Sequence, residues 1–282
     1  MDYTFLRVGF AVIGVGVLSY FDVFNNKNIP EHLLYLFLIL SFILFALSPP
    51  EEPLISSLSI LLVFAIGFFA YRAGHIGGAD VLALTSLSLL LPENPHIFSS
   101  SSEYFSILPF IVPVLYYSVI LFSAYNLVAN LPKSIMAILE GKVKINTLKT
   151  VWAFFLLAAF AIFLYFSFGR FLTTYLLSIT IMFISAVFLA LFGDFLRASS
   201  VTYLPAKKIE QEDVLALEFM DKELIKKYNL RRLVGKKELA QLRKLPIKKF
   251  AVYTGMVPFL PFLFFGLIFA LLFGDAFLIP FA

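Results

Sequence analysis

The stretch Arg72-Ala73-Gly74-His75-Ile76-Gly77-Gly78-Ala79-Asp80-Val81-Leu82 decides the fold. It separates two apolar runs by a cation, a glycine-rich turn and an acid, as expected of a chain that leaves a bilayer and re-enters it at the same face. An ionised carboxylate in lipid costs about 2.5 to 3.5 kcal/mol at mid-helix on insertion scales, so a retained acid here is a functional-site candidate. A second acid, Asp22, lies just after the first apolar run, between Ser19-Tyr20-Phe21 and the polar turn Asn25-Asn26-Lys27-Asn28-Ile29-Pro30.

Outward from this turn the composition points to one class. The chain is 61% hydrophobic, 17% aromatic and only 14% charged. That is too apolar for a soluble fold, and several runs are long enough to span a bilayer. The expected fold is an all-α polytopic membrane protein of about eight transmembrane helices, with a small cytoplasmic helical subdomain before the last helix. Apolar length and breakers predict spans at 3–20, 31–48, 54–73, 80–91, 105–129, 151–168, 171–196 and 253–273. The first reads as a permanent helix, without a basic start or a small-residue cleavage site. The fourth reaches only about 18 Å at 1.5 Å per residue, so it is a short helix starting near one face. The cluster Pro92-Glu93-Asn94-Pro95-His96, followed by Ser99 to Ser102, marks a turn.

These spans divide the chain into a transmembrane core (1–130), a cytoplasmic loop (131–150), an additional helix pair (151–196), a cytoplasmic helical subdomain (197–252) and a C-terminal helix (253–282). Within the subdomain, Val214, Leu217, Leu224 and Ile225 recur at mostly helical spacing over Glu212 to Tyr228, and a second helix is predicted over Lys236 to Lys244. With the N-terminus outside, segments 21–30, 74–79, 130–150 and 197–252 together with Arg72 hold twenty of the 22 Lys and Arg. Only Arg7 and Arg170 fall on the other side, as the positive-inside rule requires. Asp22 and Asp80 then share the cytoplasmic face. The net charge of +4 follows from this topology, and nothing resembles a nucleic-acid motif.

The chain has no cysteine, which excludes disulfides, Cys-ligated zinc and a thiol nucleophile. His32 and His96 fall on opposite sides, so no metal or other cofactor is expected. The chemistry rests on the two aspartates. Two carboxylates held close share a proton: one acts as general base on a water while the other, protonated, polarises a carbonyl. Gly77 and Gly78 are expected to permit unusual φ and close approach of an extended substrate backbone, with small Ala79 leaving Asp80 accessible.

Two features match a known first motif, Asp22 and Ile29-Pro30, and Gly77, Gly78 and Asp80 match a second, about sixty residues on. On these residues the chain resembles the GxGD-type intramembrane aspartyl proteases that process type IV prepilins, and within them the archaeal preflagellin and prepilin peptidases. Ala79 departs from the second glycine of GxGD. Val257-Pro258-Phe259-Leu260-Pro261-Phe262, entering a last helix after a charged domain, looks similar too, whereas the two spans over 151–196 have no expected counterpart. The resemblance implies an aspartic endopeptidase, with Asp22 and Asp80 catalytic, that cleaves class III signal peptides of prepilin or preflagellin (archaellin) precursors at the cytoplasmic face. It also implies a basic leader on the substrate, for which Glu31, Glu210, Glu212 and Asp213 are candidate partners.

Two other readings compete. A presenilin-like intramembrane protease shares Phe21-Asp22 and a GxGD aspartate, but its Pro-Ala-Leu motif is missing near the C-terminus. A proton-coupled transporter would place its acids near the midplane, often with internal repeats. Individually, Asp22 reads as an interfacial helix-end residue and Asp80 as a helix N-terminal residue favoured by the dipole. Asp194 and Asp275 recur in Leu191-Phe192-Gly193-Asp194 and Leu272-Phe273-Gly274-Asp275, at opposite ends of their spans, so they form no pair. His75 reads as an exposed loop residue and Arg72 as a snorkelling anchor.

Overall fold

A computed structural model describes residues 3–25, 29–95, 109–141, 147–167, 173–254 and 257–274. Asn26 to Asn28, His96, the serines 99–102, Arg170 and Asp275 lie outside the described residues. Seven helices come first: α1 (Thr4–Phe24), α2 (Glu31–Leu47), α3 (Pro53–Arg72), α4 (Gly78–Leu90), α5 (Ile111–Leu139), α6 (Thr147–Ser167) and α7 (Thr173–Ser199). A polar subdomain follows, with β1 (Val201–Leu204), α8 (Lys222–Tyr228), α9 (Lys236–Leu242) and β2 (Phe250–Tyr253), before α10 (Leu260–Phe273).

The chain is a multi-pass membrane protein. Five described helices, α1, α3, α5, α6 and α7, are long and apolar enough to cross a bilayer, and α2, α4 and α10 are shorter apolar helices. Several boundaries differ from the sequence reading, three of them where it matters for the site or the domain division. Helix α1 runs on to Phe24, which puts Asp22 in its last turn rather than past its end. Helix α5 continues through Pro132 to Leu139, so residues 131–139 are helix and not loop. Helix α10 begins at Leu260, because 250–253 is strand.

Helices α4 and α10 lie at the centre. Helix α4 packs on α2, α3 and α1, whereas α10 packs on α5 and α1. Their buried faces meet in one apolar core built from Ala11, Val15, Leu18, Leu84, Leu87, Leu90, Val114, Leu263 and Leu267. A short helix is tolerated at membrane depth when protein surrounds it, since its backbone groups are satisfied internally. Small residues let the backbones close up. A Cβ added at Gly266 would lie 2.1 Å from Ser118 Oγ and 2.8 Å from the Val114 carbonyl, so α10 and α5 touch main chain to main chain. The opposite faces of α2, α3 and α6 carry exposed Phe, Leu and Ile, as lipid-facing surfaces do.

One end of the bundle is stitched by polar groups. The buried Arg7 guanidinium donates to the carbonyls of Leu44, at 3.0 Å, and Ser48, satisfying the end of α2. Glu93, after α4, accepts the Glu51 and Glu52 amides ahead of α3, at 3.4 and 3.3 Å.

The polar subdomain is not all helical, which corrects the sequence expectation. β1 and β2 pair antiparallel with Val201 opposite Tyr253 and Leu204 opposite Phe250, and their β-branched and aromatic residues suit a pleated surface. Of the helix predicted over Glu212 to Tyr228, only α8 forms as α-helix, preceded by a single 3-10 turn at Leu217–Phe219. The Leu215 and Ala216 amides bond to the carbonyls of Arg232 and Ala251, and Val214 bridges Leu233. These tertiary hydrogen bonds override a 3.6-residue apolar spacing. The subdomain has its own apolar clusters, one around Ile209, Leu215, Leu242 and Phe250 and one around Val214, Ala216 and Ala251.

Candidate active site

Asp22 is buried in the last turn of α1. Its Oδ2 accepts the Leu260 amide at 3.2 Å, and Ser19 Oγ, one turn earlier, donates to the Leu260 carbonyl at 2.8 Å. Leu260 opens α10, whose first amides have no partner within the helix, so the carboxylate caps that end. Asp80 sits in the first turn of α4, where its Oδ2 accepts the Gly77 amide at 3.1 Å. Each aspartate therefore does serve a helix end, as the simpler readings expected of them singly.

The fold also brings them together. Helix α4 runs against α1, so the end of one lies beside the start of the other, and the Asp22 carboxylate exerts Coulombic repulsion on that of Asp80. Two acids from separate helices thus occupy one end of the bundle, facing the polar subdomain. Such a pair, with one proton between its members, can hold a water as a base and polarise a carbonyl as an acid.

The glycines act differently from the sequence expectation. Gly77 has an ordinary extended backbone, φ −74° and ψ 152°, and Gly78 is the first residue of α4. Only Gly74 in this turn takes a left-handed φ, +71°. The space that Gly78 leaves is occupied: an added Cβ would lie 3.3 Å from the Tyr71 ring and 3.4 Å from Glu212 Oε1. Beside Gly74 it would meet the Arg232 side chain at 3.3 Å. Ala79 is partly buried against the apolar core and His75 is exposed.

Tyr71, Glu212 and Arg232 therefore surround the turn, and the sequence offered no signal linking them across 141 residues and more. The Tyr71 hydroxyl donates to Glu212 Oε1 at 3.4 Å. Arg232 lies over the Tyr253 ring, whose hydroxyl donates to Glu218. Burial and this bond to a carboxylate push Tyr253 up to about 12. Burial raises Glu218, but the Tyr253 hydrogen bond with Arg232 and Arg197 nearby outweighs it and holds the carboxyl below its ordinary range. Burial pushes Asp213 upward against its hydrogen bond from the Glu210 amide. Asp194 is far from this group in role: at the end of α7 it pairs with Lys149 of α6 at 2.6 Å and with Arg197.

No curated protein and no solved structure matches the chain. Residues 9–131, which contain Asp22, the glycine turn and Asp80, match the model of the type IV leader peptidase family. Through that segment the chain is similar to the type IV leader peptidase family.

Proposed function

We propose that the protein is an aspartic endopeptidase that cleaves class III signal peptides of prepilin-like or preflagellin precursors at the cytoplasmic face of the membrane, with Asp22 and Asp80 as its catalytic residues. The observation that carries this reading is the meeting of two acids from α1 and α4, both inside the family-matched segment, at the bundle end that bears the polar subdomain.

The chemistry follows from the shared proton. The ionised aspartate takes a proton from a water as the water attacks the scissile carbonyl. The protonated one donates to the carbonyl oxygen as the tetrahedral centre forms. Collapse then breaks the C–N bond: the aspartate that took the water proton gives it to the leaving amine, and a hydroxyl of the tetrahedral centre returns its proton to the other aspartate. Gly77 and the Leu260 amide orient the two carboxylates through their hydrogen bonds. A site at the bundle end lets water and an extended leader junction reach the pair while an apolar substrate helix stays in lipid. The polar subdomain carries most of the basic residues, which supports a cytoplasmic side for it and the pair under the positive-inside rule.

The test is cleavage of a tagged prepilin by membranes containing the wild type, Asp22→Asn or Asp80→Asn. Cleavage by the wild type alone is expected. Full activity in either variant would remove the dyad.

A further inference from the structure

The polar subdomain touches the site through Glu212 and Arg232. Its apolar clusters are internal, yet Glu212 reaches out to Tyr71 at the end of α3 and to Gly78 at the start of α4, and Arg232 lies against Gly74 between them. These contacts bracket the turn whose Gly77 amide holds the Asp80 carboxylate. We infer that Glu212 is a positioning residue for Asp80: with Tyr71 it clamps the subdomain onto the α3–α4 turn, and the clamped turn fixes the Gly77 amide that orients Asp80. The inference rests on the reading of Asp80 as half of the catalytic pair.

Three observations converge on it. Glu212 has φ +72°, a left-handed backbone that a residue with a Cβ adopts at a cost and keeps only where its surroundings demand it. The Glu212 amide donates to the Val234 carbonyl at 2.8 Å, which anchors that backbone within the subdomain. The strain thus aims a carboxylate at the turn instead of relaxing. Gly78 lets the Tyr71 and Glu212 pair sit close to the turn: a Cβ there would crowd the Tyr71 ring at 3.3 Å and be in contact with the Glu212 carboxylate at 3.4 Å. In this structure the glycine next to Ala79-Asp80 serves the docking of the subdomain. Finally, a negative group beside the first turn of α4 is favoured by the unpaired amides there, which adds to the hold on that helix end.

The experiment measures kcat and KM for a tagged prepilin peptide with membranes containing each variant. Glu212→Ala and Tyr71→Phe should each lower kcat about tenfold with KM little changed, since a displaced acid weakens the chemical step more than binding. The double variant should be no worse than either single one. Glu212→Gln should retain most activity, because its amide oxygen still accepts the Tyr71 hydroxyl. Glu212→Gly, which relieves the backbone strain, should lose activity as Glu212→Ala does, an outcome that a folding defect would not give. A second readout is independent of cleavage. His75→Cys introduces a single thiol into a chain that has none, and its labelling by a water-soluble maleimide should quicken when Glu212→Ala is added. Wild-type kcat in Glu212→Ala, additive losses in the double variant, or unchanged labelling would each overturn the clamp. A rise in activity would overturn it too, and would make the subdomain a cover. Faster labelling in a protein that cleaves no prepilin would support the clamp while refuting the substrate reading.

Discussion

Asp22 and Asp80 each accept a helix-end amide, and that second task shapes how their variants behave. An asparagine oxygen can still accept from the Leu260 or Gly77 amide, so Asp22→Asn and Asp80→Asn keep these joints and lose only the ionisable group. Each should cut cleavage by about 100-fold or more, the usual contribution of a general acid or base, with little change in thermal stability. Asp22→Ala should also destabilise the protein by about 1 to 3 kcal/mol, because the Leu260 amide is left buried without its acceptor. Comparing cleavage with melting in detergent separates the two effects. Tyr253 gives a pH prediction. Its folded pKa, about 12, lies above the ordinary tyrosine value, so the neutral hydroxyl is the form that folding favours. The stability it contributes is fully present below about pH 10 and is lost as pH rises towards 12. Protease resistance of residues 201–253 in the full chain should therefore fall across that window in the wild type, and Tyr253→Phe should flatten that fall.

At the scale of elements, the end of the bundle away from the aspartates depends on Arg7. A buried guanidinium is costly unless its hydrogen bonds are made, and here it closes the carbonyl end of α2 while α1 supplies its stem. Arg7→Ala should lower stability by about 1 to 3 kcal/mol by removing the donor to the Ser48 carbonyl and one of the two donors to the Leu44 carbonyl, which keeps the Ser48 amide, and should leave the cleavage rate of the folded fraction unchanged. Thermal melting alongside cleavage per folded protein checks both parts. The central helices show why α4 can be short. Val81, Ala83, Leu84 and Leu87 to Leu90 are buried on a helix that protein surrounds, so bilayer thickness does not set its length. The contact of Gly266 with the main chain of α5 similarly sets how near α10 comes to the core, and hence where Leu260 meets Asp22.

For the whole molecule, the helices sort into a catalytic-candidate core and an appended pair. Helix α7 packs on α5 and α6 packs on α7, and much of α6 faces lipid. The pair is tied at one end by Lys149, Asp194 and Arg197, all exposed. Asp194→Asn should therefore leave cleavage at the wild-type rate, because the ion pairs it breaks are solvent-screened and belong to other helices than those bearing Asp22 and Asp80. A loss of cleavage comparable to that of Asp80→Asn would bring the appended pair into the site.

What could be read from the sequence alone follows from local rules. Membrane residence, the apolar helices, the short fourth one and the common face of Asp22 and Asp80 all come from apolar run length, breakers and the distribution of charge, which act along the chain. The motif residues were legible for the same reason, since a turn and its flanking acid are contiguous. The tertiary structure alone decided the rest. Leu260 capping by Asp22, the strands at 201–204 and 250–253, and the approach of Tyr71, Glu212 and Arg232 to the glycine turn join residues far apart in the chain. Within the apolar spacing over Glu212 to Tyr228 that suits a helix, residues 212–216 instead bond to Arg232, Val234 and Ala251, partners available only once the chain has folded back. Spacing reports which face of a segment is apolar; which backbone and side-chain groups meet depends on distances that no local pattern encodes.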